Sequence, residues 1–167
     1  MRRGLGMRAV GEFERLLGAP VRSGEGELIE AIARDWSVKF PADFVEVAGA
    51  YGDTSISEYI YFCGARTLKK YADGMGRLLE QSRIVPHAVL PPPGGALVWG
   101  NTIEGDQLFL VPHDDGSWTV SAFRRGWADW HDTTLGFSDW FHQALAGETG
   151  TDWLPEWNVG IHPLELS

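Results

Sequence analysis

The chain has little of what disulfide-stabilised and membrane-spanning proteins need. Its 167 residues include one cysteine, Cys63, so no disulfide can form within the chain, as is usual for proteins of a reducing compartment. No apolar run approaches the roughly 18 residues of a membrane-spanning helix, and the first residues do not resemble a secretion signal. We therefore expect a cytoplasmic protein.

Basic residues are scarce after the first 24 positions. That first segment holds five basic and two acidic side chains, whereas the rest of the chain holds nine and twenty-one, a net charge of −12. Such a surface repels nucleic acid and anionic membranes, and it attracts basic proteins at a rate that falls with added salt. The alternative is that the acidity only keeps the protein soluble.

Motifs of catalysis are also missing. The sequence contains no phosphate-binding loop, dinucleotide-binding glycine pattern, nucleophile elbow, zinc-protease helix or calcium loop. Its best polar clusters are residues 113–115 (His-Asp-Asp) and 129–132 (Asp-Trp-His-Asp), which could hold a divalent metal or form an acid–base pair if the fold joined them. Both are expected in turns, where aspartates usually bond local backbone, and Cys63 is expected to be a buried thiol. We predict no enzyme activity, cofactor or metal.

Hydrophobic spacing outlines the secondary structure. Helices are predicted near residues 10–17, 25–36, 41–51, 67–79 and 137–146, and strands at 56–62, 96–99, 108–111 and 118–123. The runs 96–99 and 108–111 are almost continuously apolar and flank turn-forming residues. They therefore predict a hairpin that is buried on both faces at the centre of a sheet.

Tryptophan is unusually abundant, and six of the eight lie in the last fifty residues. Trp99 and Trp140 stand within apolar patterns, which predicts that they are part of the core. Trp118, Trp127 and Trp130 stand among polar residues and turns. They are either further core residues or the aromatic anchors of a protein-binding surface, oriented by the carboxylates beside them.

Three segments carry a resemblance to one family. Residues 40–44 (Phe-Pro-Ala-Asp-Phe), with Tyr51 and Gly52 after them, resemble the helix that opens the SUKH superfamily domain. Residues 99–106 (Trp-Gly-Asn-Thr-Ile-Glu-Gly-Asp) and 118–120 (Trp-Thr-Val) are similar to the Trp-Gly-x-Thr-x-x-Gly-Asp and Trp-x-Val signature of its bacterial members. The predicted helix at 137–146 stands where that family has its closing helix. Phe40 replaces the usual leucine, and Leu110 stands where many members have tryptophan.

The resemblance covers about residues 25–147 and implies an α+β fold: a single domain whose mixed, largely antiparallel sheet is packed by helices. Residues 1–24 would be a basic N-terminal segment with a short helix, and residues 148–167 a tail packing on the domain. The resemblance gives structural roles to the motif residues and to Trp140: Pro41, Phe44, Gly52, Trp99, Gly100, Gly105 and Trp140.

Many bacterial members of that superfamily are immunity proteins that neutralise toxin domains, often nucleases. The resemblance therefore implies a non-enzymatic partner of a basic toxin. Combined with the acidic and aromatic pattern, it makes nine residues candidates for partner binding: Glu104, Asp106, Asp114, Asp115, Trp118, Trp127, Asp129, Trp130 and Asp132. Two alternatives are a regulatory scaffold of the same superfamily, with several cellular partners, and a small metal-dependent hydrolase that uses His113, His131 and the aspartates beside them.

Overall fold

The computed structural model describes residues 7–148, 153–157 and 160–167. Parts of the predicted N-terminal segment and C-terminal tail, at residues 1–6, 149–152 and 158–159, lie outside the described residues. A short 3-10 helix precedes the first α-helix, and the helices then follow in the order Val10–Phe13, α1 (Glu14–Leu17), α2 (Glu25–Asp35), α3 (Ala42–Tyr51), α4 (Leu68–Leu79) and α5 (Phe137–Ala146). The strands are β1 (Thr54–Ile56), β2 (Ile60–Phe62), β3 (Leu97–Thr102), β4 (Gln107–Pro112), β5 (Trp118–Arg124), β6 (Asp129–Asp132) and β7 (Leu164–Leu166).

The seven strands form one sheet in the order β6-β5-β4-β3-β2-β1-β7, and every pairing between them is antiparallel. This confirms the predicted single-domain α+β fold. A parallel contact occurs in an isolated bridge between Val89 and Ala96. Among the described residues, no helix has both the length and the apolar character needed to cross a membrane.

The predicted central hairpin is confirmed as β3 and β4. Val98 lies opposite Phe109 and Gly100 lies opposite Leu108, so Trp99 is the extra residue of a β-bulge. The side chains at positions 97–99 and 108–110 are fully buried, on both faces of the sheet, because each face is covered. Trp99 points into the larger core, formed with α1, α2, α3 and α5, whereas Val98 and Phe109 belong to the smaller core beneath α4.

Three sequence predictions about strands are wrong. The expected strand at 56–62 is a tight hairpin of β1 and β2, because Ser57 and Glu58 adopt φ values of 52° and 56°, which reverse the chain. Residues 129–132 form the edge strand β6 and not a turn. The tail contributes an unpredicted strand, β7, at the other edge, where it pairs with β1. Short edge strands have weak hydrophobic patterns, so their pairing depends on neighbours that sequence alone does not reveal.

Both chain ends pack on the same core. Phe13, Leu16 and Leu17 of the first helical segment are almost completely buried, and so are Trp153 and Leu154 of the tail. His162 joins the two ends, because its backbone N–H donates to the carbonyl of Leu16.

Candidate protein-interaction surface

The acidic residue of the 40–44 segment has a structural role. Asp43 is 6% exposed, and its carboxylate accepts hydrogen bonds from the backbone N–H of Ser138 (3.0 Å), the hydroxyl of Ser138 (2.7 Å) and the N–H of Phe44 (2.9 Å). Ser138 lies in the first turn of α5, where unpaired amides attract a negative charge. Asp43 therefore joins the start of α3 to the start of α5.

Asp106 forms a second buried joint, which corrects its assignment to a partner-binding surface. It is 3% exposed, and its carboxylate accepts the hydroxyl of Thr102 (2.7 Å) and the backbone N–H of Arg125 (2.8 Å). These bonds tie the β3–β4 turn to the β5–β6 turn. A carboxylate that is buried on two internal donors cannot contact a partner directly without breaking those bonds.

The residues given structural roles lie in tightly packed places. Gly105 has a φ of +95°, and a Cβ there would lie 2.4 Å from Cδ of Arg125. A Cβ on Gly52 would lie 2.5 Å from the carbonyl oxygen of Ala48, where α3 ends. The remaining members stand at the start of α3, in the central strand or in the buried aromatic cluster: Pro41, Phe44, Trp99, Gly100 and Trp140.

The other eight candidate residues do not form one patch, because turns at opposite ends of the sheet carry them. Glu104 and Trp127 lie at the end formed by the β3–β4 and β5–β6 turns, and Asp129 begins β6 at that same end. Asp114, Asp115 and Trp118 lie at the opposite end, in or beside the β4–β5 turn. The remaining two, Trp130 and Asp132, lie along β6 between the two ends.

The Trp127 end is more basic than the sequence suggests. Trp127 is 51% exposed, but the guanidinium of Arg124 lies 4.5 Å from its ring centroid. Arg124 also holds Asp129 in a two-pronged ion pair of 2.9 and 2.6 Å, whose hydrogen bonds lower the pKa of Asp129. Much of the charge of Asp129 is therefore matched within the molecule.

Trp130 and Asp132 also make contacts within the fold. The indole of Trp130 packs against Phe109 and His87, with ring centroids 5.0 and 5.4 Å apart, and its N–H donates to Asp132. The same carboxylate oxygen accepts the hydroxyl of Ser121 at 2.6 Å. Trp130 therefore covers part of the smaller core.

The β4–β5 turn carries two adjacent carboxylates that face solvent. Asp114 and Asp115 are both exposed, and within the described part of the chain Asp114 has no hydrogen-bond or ion-pair partner. Asp115 accepts the hydroxyl and the backbone N–H of Ser117, and these bonds lower the pKa of Asp115. Asp115 is therefore charged at neutral pH.

An open cavity of about 560 Å³ lies directly beside this turn. Its walls come from the β4–β5 turn, the starts of α3 and α5, and Lys39. Its apolar lining includes Met7, Pro41, Ala42 and Trp118, which are exposed or partly exposed, and the nearly buried Phe40 and Phe137. The rings of Phe40 and Trp118 meet edge to face at 6.4 Å. The structure thus brings three of the predicted residues, Asp114, Asp115 and Trp118, to one site. We call the turn and cavity together the β4–β5 site.

The structure does not bring the two histidine-containing clusters together. His113 hydrogen-bonds to Thr119 at the β4–β5 turn, whereas His131 lies on β6 near the Trp153 ring, where burial lowers the pKa of His131. No group of three or more His, Cys, Asp or Glu residues is arranged to hold a metal ion in the described ranges. Cys63 is 5% exposed, and burial raises its pKa to about 12, so its thiol is not activated as a nucleophile.

Sequence reasoning missed Asp53, which holds together another loop. It is 1% exposed, and its carboxylate accepts the N–H groups of Gly64, Arg66 and Thr67 together with the Thr67 hydroxyl. Its position after Gly52, at the end of a helix, was the available signal. Lys39 was missed too, because nothing in the sequence places it opposite the β4–β5 turn.

Comparison with known proteins identifies no relative of this chain. No family model matches the sequence, no curated protein matches it, and no solved structure matches the fold.

Proposed function

We propose that this chain is a non-enzymatic protein-binding domain, an immunity protein that binds and neutralises a cognate toxin domain in the cytoplasm. The observation that carries this proposal is the β4–β5 site, where two exposed carboxylates stand beside an open apolar cavity. Protein interfaces use apolar anchors for affinity and flanking charges for orientation. The similarity of residues 40–44 and 99–106 to SUKH immunity proteins supports the toxin as the class of partner.

Electrostatics favours a basic toxin. Residues 25–167 carry a net charge of −12, and the exposed Asp114 and Asp115 directly precede Gly116 and Ser117 of the cavity lining. A nuclease domain needs cationic groups to hold phosphate, and an acidic protein that covers those groups blocks the substrate. Association should therefore be fast at low salt and should slow as salt rises.

Affinity capture tests the proposal. The tagged protein is used to capture partners from its own cells at low and at moderate salt, and the eluted polypeptides are identified by mass spectrometry. We expect one basic polypeptide at equal stoichiometry, recovered less well at moderate salt. Expression of that polypeptide alone should arrest growth, and co-expression with this chain should restore it.

Two variants with the same change in charge separate a local site from a general field. Changing Asp114 and Asp115 together to Asn should weaken affinity for the captured polypeptide by about five- to tenfold. Changing Asp35 and Asp73 to Asn removes as much charge from exposed positions in α2 and α4 and should have little effect. Recovery of many unrelated proteins, or of a single partner whose expression is harmless, would refute the immunity function.

A further inference from the structure

We infer that the cavity of the β4–β5 site receives one large apolar side chain of the partner, aromatic or branched aliphatic, from a segment in which basic residues lie next to it. This inference rests on the proposed protein-binding function and specifies the chemistry of the partner.

The cavity is preformed by side chains that the core holds in place. Phe40 is 4% exposed, and its ring makes edge-to-face contacts with Trp36 at 6.1 Å and Phe44 at 5.9 Å. Phe137 is 1% exposed and meets Phe44 in the same geometry at 5.2 Å. A side chain that enters therefore orders little of the protein, which favours binding.

The lining selects an apolar occupant. Aromatic and aliphatic groups form most of the walls, and Asp43, the buried carboxylate at the base, is already bonded to Ser138 and the N–H of Phe44. A volume of about 560 Å³ is within the usual range of ligand pockets and leaves room for an indole or isobutyl group. A charged group at the base would lose water without gaining a free partner.

The charges at the rim of the cavity favour particular residues next to the apolar side chain of the partner. Asp114 and Asp115 immediately precede Gly116 and Ser117, which line the cavity, whereas Lys39 is the basic residue of the lining. A cation one or two residues beyond the apolar side chain can reach the two carboxylates, and an anion there would meet repulsion from both. The segment therefore combines one apolar side chain with adjacent basic residues.

Three blocked tripeptides test this directly: Trp-Arg-Arg, Ala-Arg-Arg and Trp-Glu-Glu, each acetylated and amidated. Each is titrated into the isotope-labelled full chain, and amide and indole NMR shifts are followed at Gly116, Ser117, Trp118 and Gly136. We expect Trp-Arg-Arg to shift these signals with millimolar affinity. Ala-Arg-Arg should bind about ten- to hundredfold more weakly, since it lacks the buried ring. Trp-Glu-Glu should bind about two- to tenfold more weakly.

Variants assign these effects to the cavity and its rim. Ala42→Leu fills the cavity from an exposed lining position at the start of α3 and should weaken Trp-Arg-Arg about tenfold, whereas Ala19→Leu, at an exposed position outside the lining, should not. Changing Asp114 and Asp115 to Asn should remove the preference for arginine over glutamate. Equal binding of Ala-Arg-Arg, shifts located elsewhere, or no effect of Ala42→Leu would overturn the inference.

The two proposals fail in different ways. If the captured polypeptide binds the Ala42→Leu variant as tightly as the unchanged chain, the cavity is not its binding site and the inference fails, while the immunity function stands. If the tripeptides behave as expected but no toxic partner is captured, the cavity chemistry stands and the immunity function fails.

Discussion

Asp106 and Glu104 are two residues apart in the chain, and the structure predicts opposite outcomes when each is changed. The Asp106 carboxylate is buried and accepts hydrogen bonds from Thr102 and Arg125, whereas Glu104 is exposed on the same turn. Asp106→Ala leaves two donors without their acceptor. Hydrogen bonds to a charged group contribute about 1.5–3 kcal/mol each, but the Thr102 hydroxyl can rotate to another acceptor, so we expect a loss of about 2–4 kcal/mol in unfolding free energy.

Two further variants calibrate that loss. Asp106→Asn keeps one acceptor oxygen and places an amide N–H near the Thr102 hydroxyl, which can accept it, so it should cost about half as much as Asp106→Ala. Glu104→Gln changes an exposed side chain and should alter the free energy of unfolding by less than about 0.5 kcal/mol.

Urea unfolding followed by tryptophan fluorescence measures all three variants, because several tryptophans are buried in the native fold. A small domain has a total stability of about 5–15 kcal/mol, so a loss of about 3 kcal/mol shifts the midpoint clearly. If Asp106→Ala unfolds with the midpoint of the unchanged chain but loses its captured partner, Asp106 is a contact residue after all. The assignment of this carboxylate to a buried joint would then be wrong.

Three further predictions concern buried side chains. Asp43→Ala should lower the free energy of unfolding by about 3 kcal/mol, because the N–H and hydroxyl of Ser138 lose their acceptor. Asp73→Ala removes only an exposed ion pair and should lower it by less than about 0.5 kcal/mol in the same urea assay. Cys63, whose pKa is raised to about 12 by burial, should not react with a disulfide reagent at pH 8 until urea unfolds the chain; a fast native reaction would contradict its burial. Burial lowers the pKa of His142 in the folded state, so the stability that depends on its neutral form should be complete above the ordinary histidine pKa of 6.5 and fall as pH drops through the lower, folded-state pKa. His142→Gln should flatten that slope in urea titrations at a series of pH values, and an unchanged slope would contradict the shift.

Regular hydrophobic patterns predicted most of the framework. The central hairpin, the helix at 137–146 and the helix at 68–79 have apolar residues at the spacing that their burial requires, so local sequence and final structure agree. The short strands were less predictable. Two of the three residues of β7 are exposed, and the pairing of β7 with β1 is decided by a distant part of the chain.

The candidate site could be predicted only in part, since an aspartate reads the same in sequence whether it is buried or exposed. Asp106 follows a turn glycine and Asp115 precedes one, and both suit turns for the same local reasons. What separates them is the backbone N–H of Arg125, nineteen residues beyond Asp106, which supplies the donor that makes burial possible. For Asp115 the donors come from Ser117 in its own turn, so its carboxylate stays in solvent.

This difference narrows the surface available to a partner. Of the acidic residues selected from the sequence, Asp106 is held inside the fold and Asp129 is paired with Arg124. A basic partner therefore gains less from these two carboxylates than from an unpaired one. Asp114 and Asp115 keep exposed charge beside an apolar cavity, and that combination offers both orientation and burial. The strongest electrostatic contribution to binding should therefore come from the β4–β5 turn, whose carboxylates adjoin the cavity, and not from the edge strand β6.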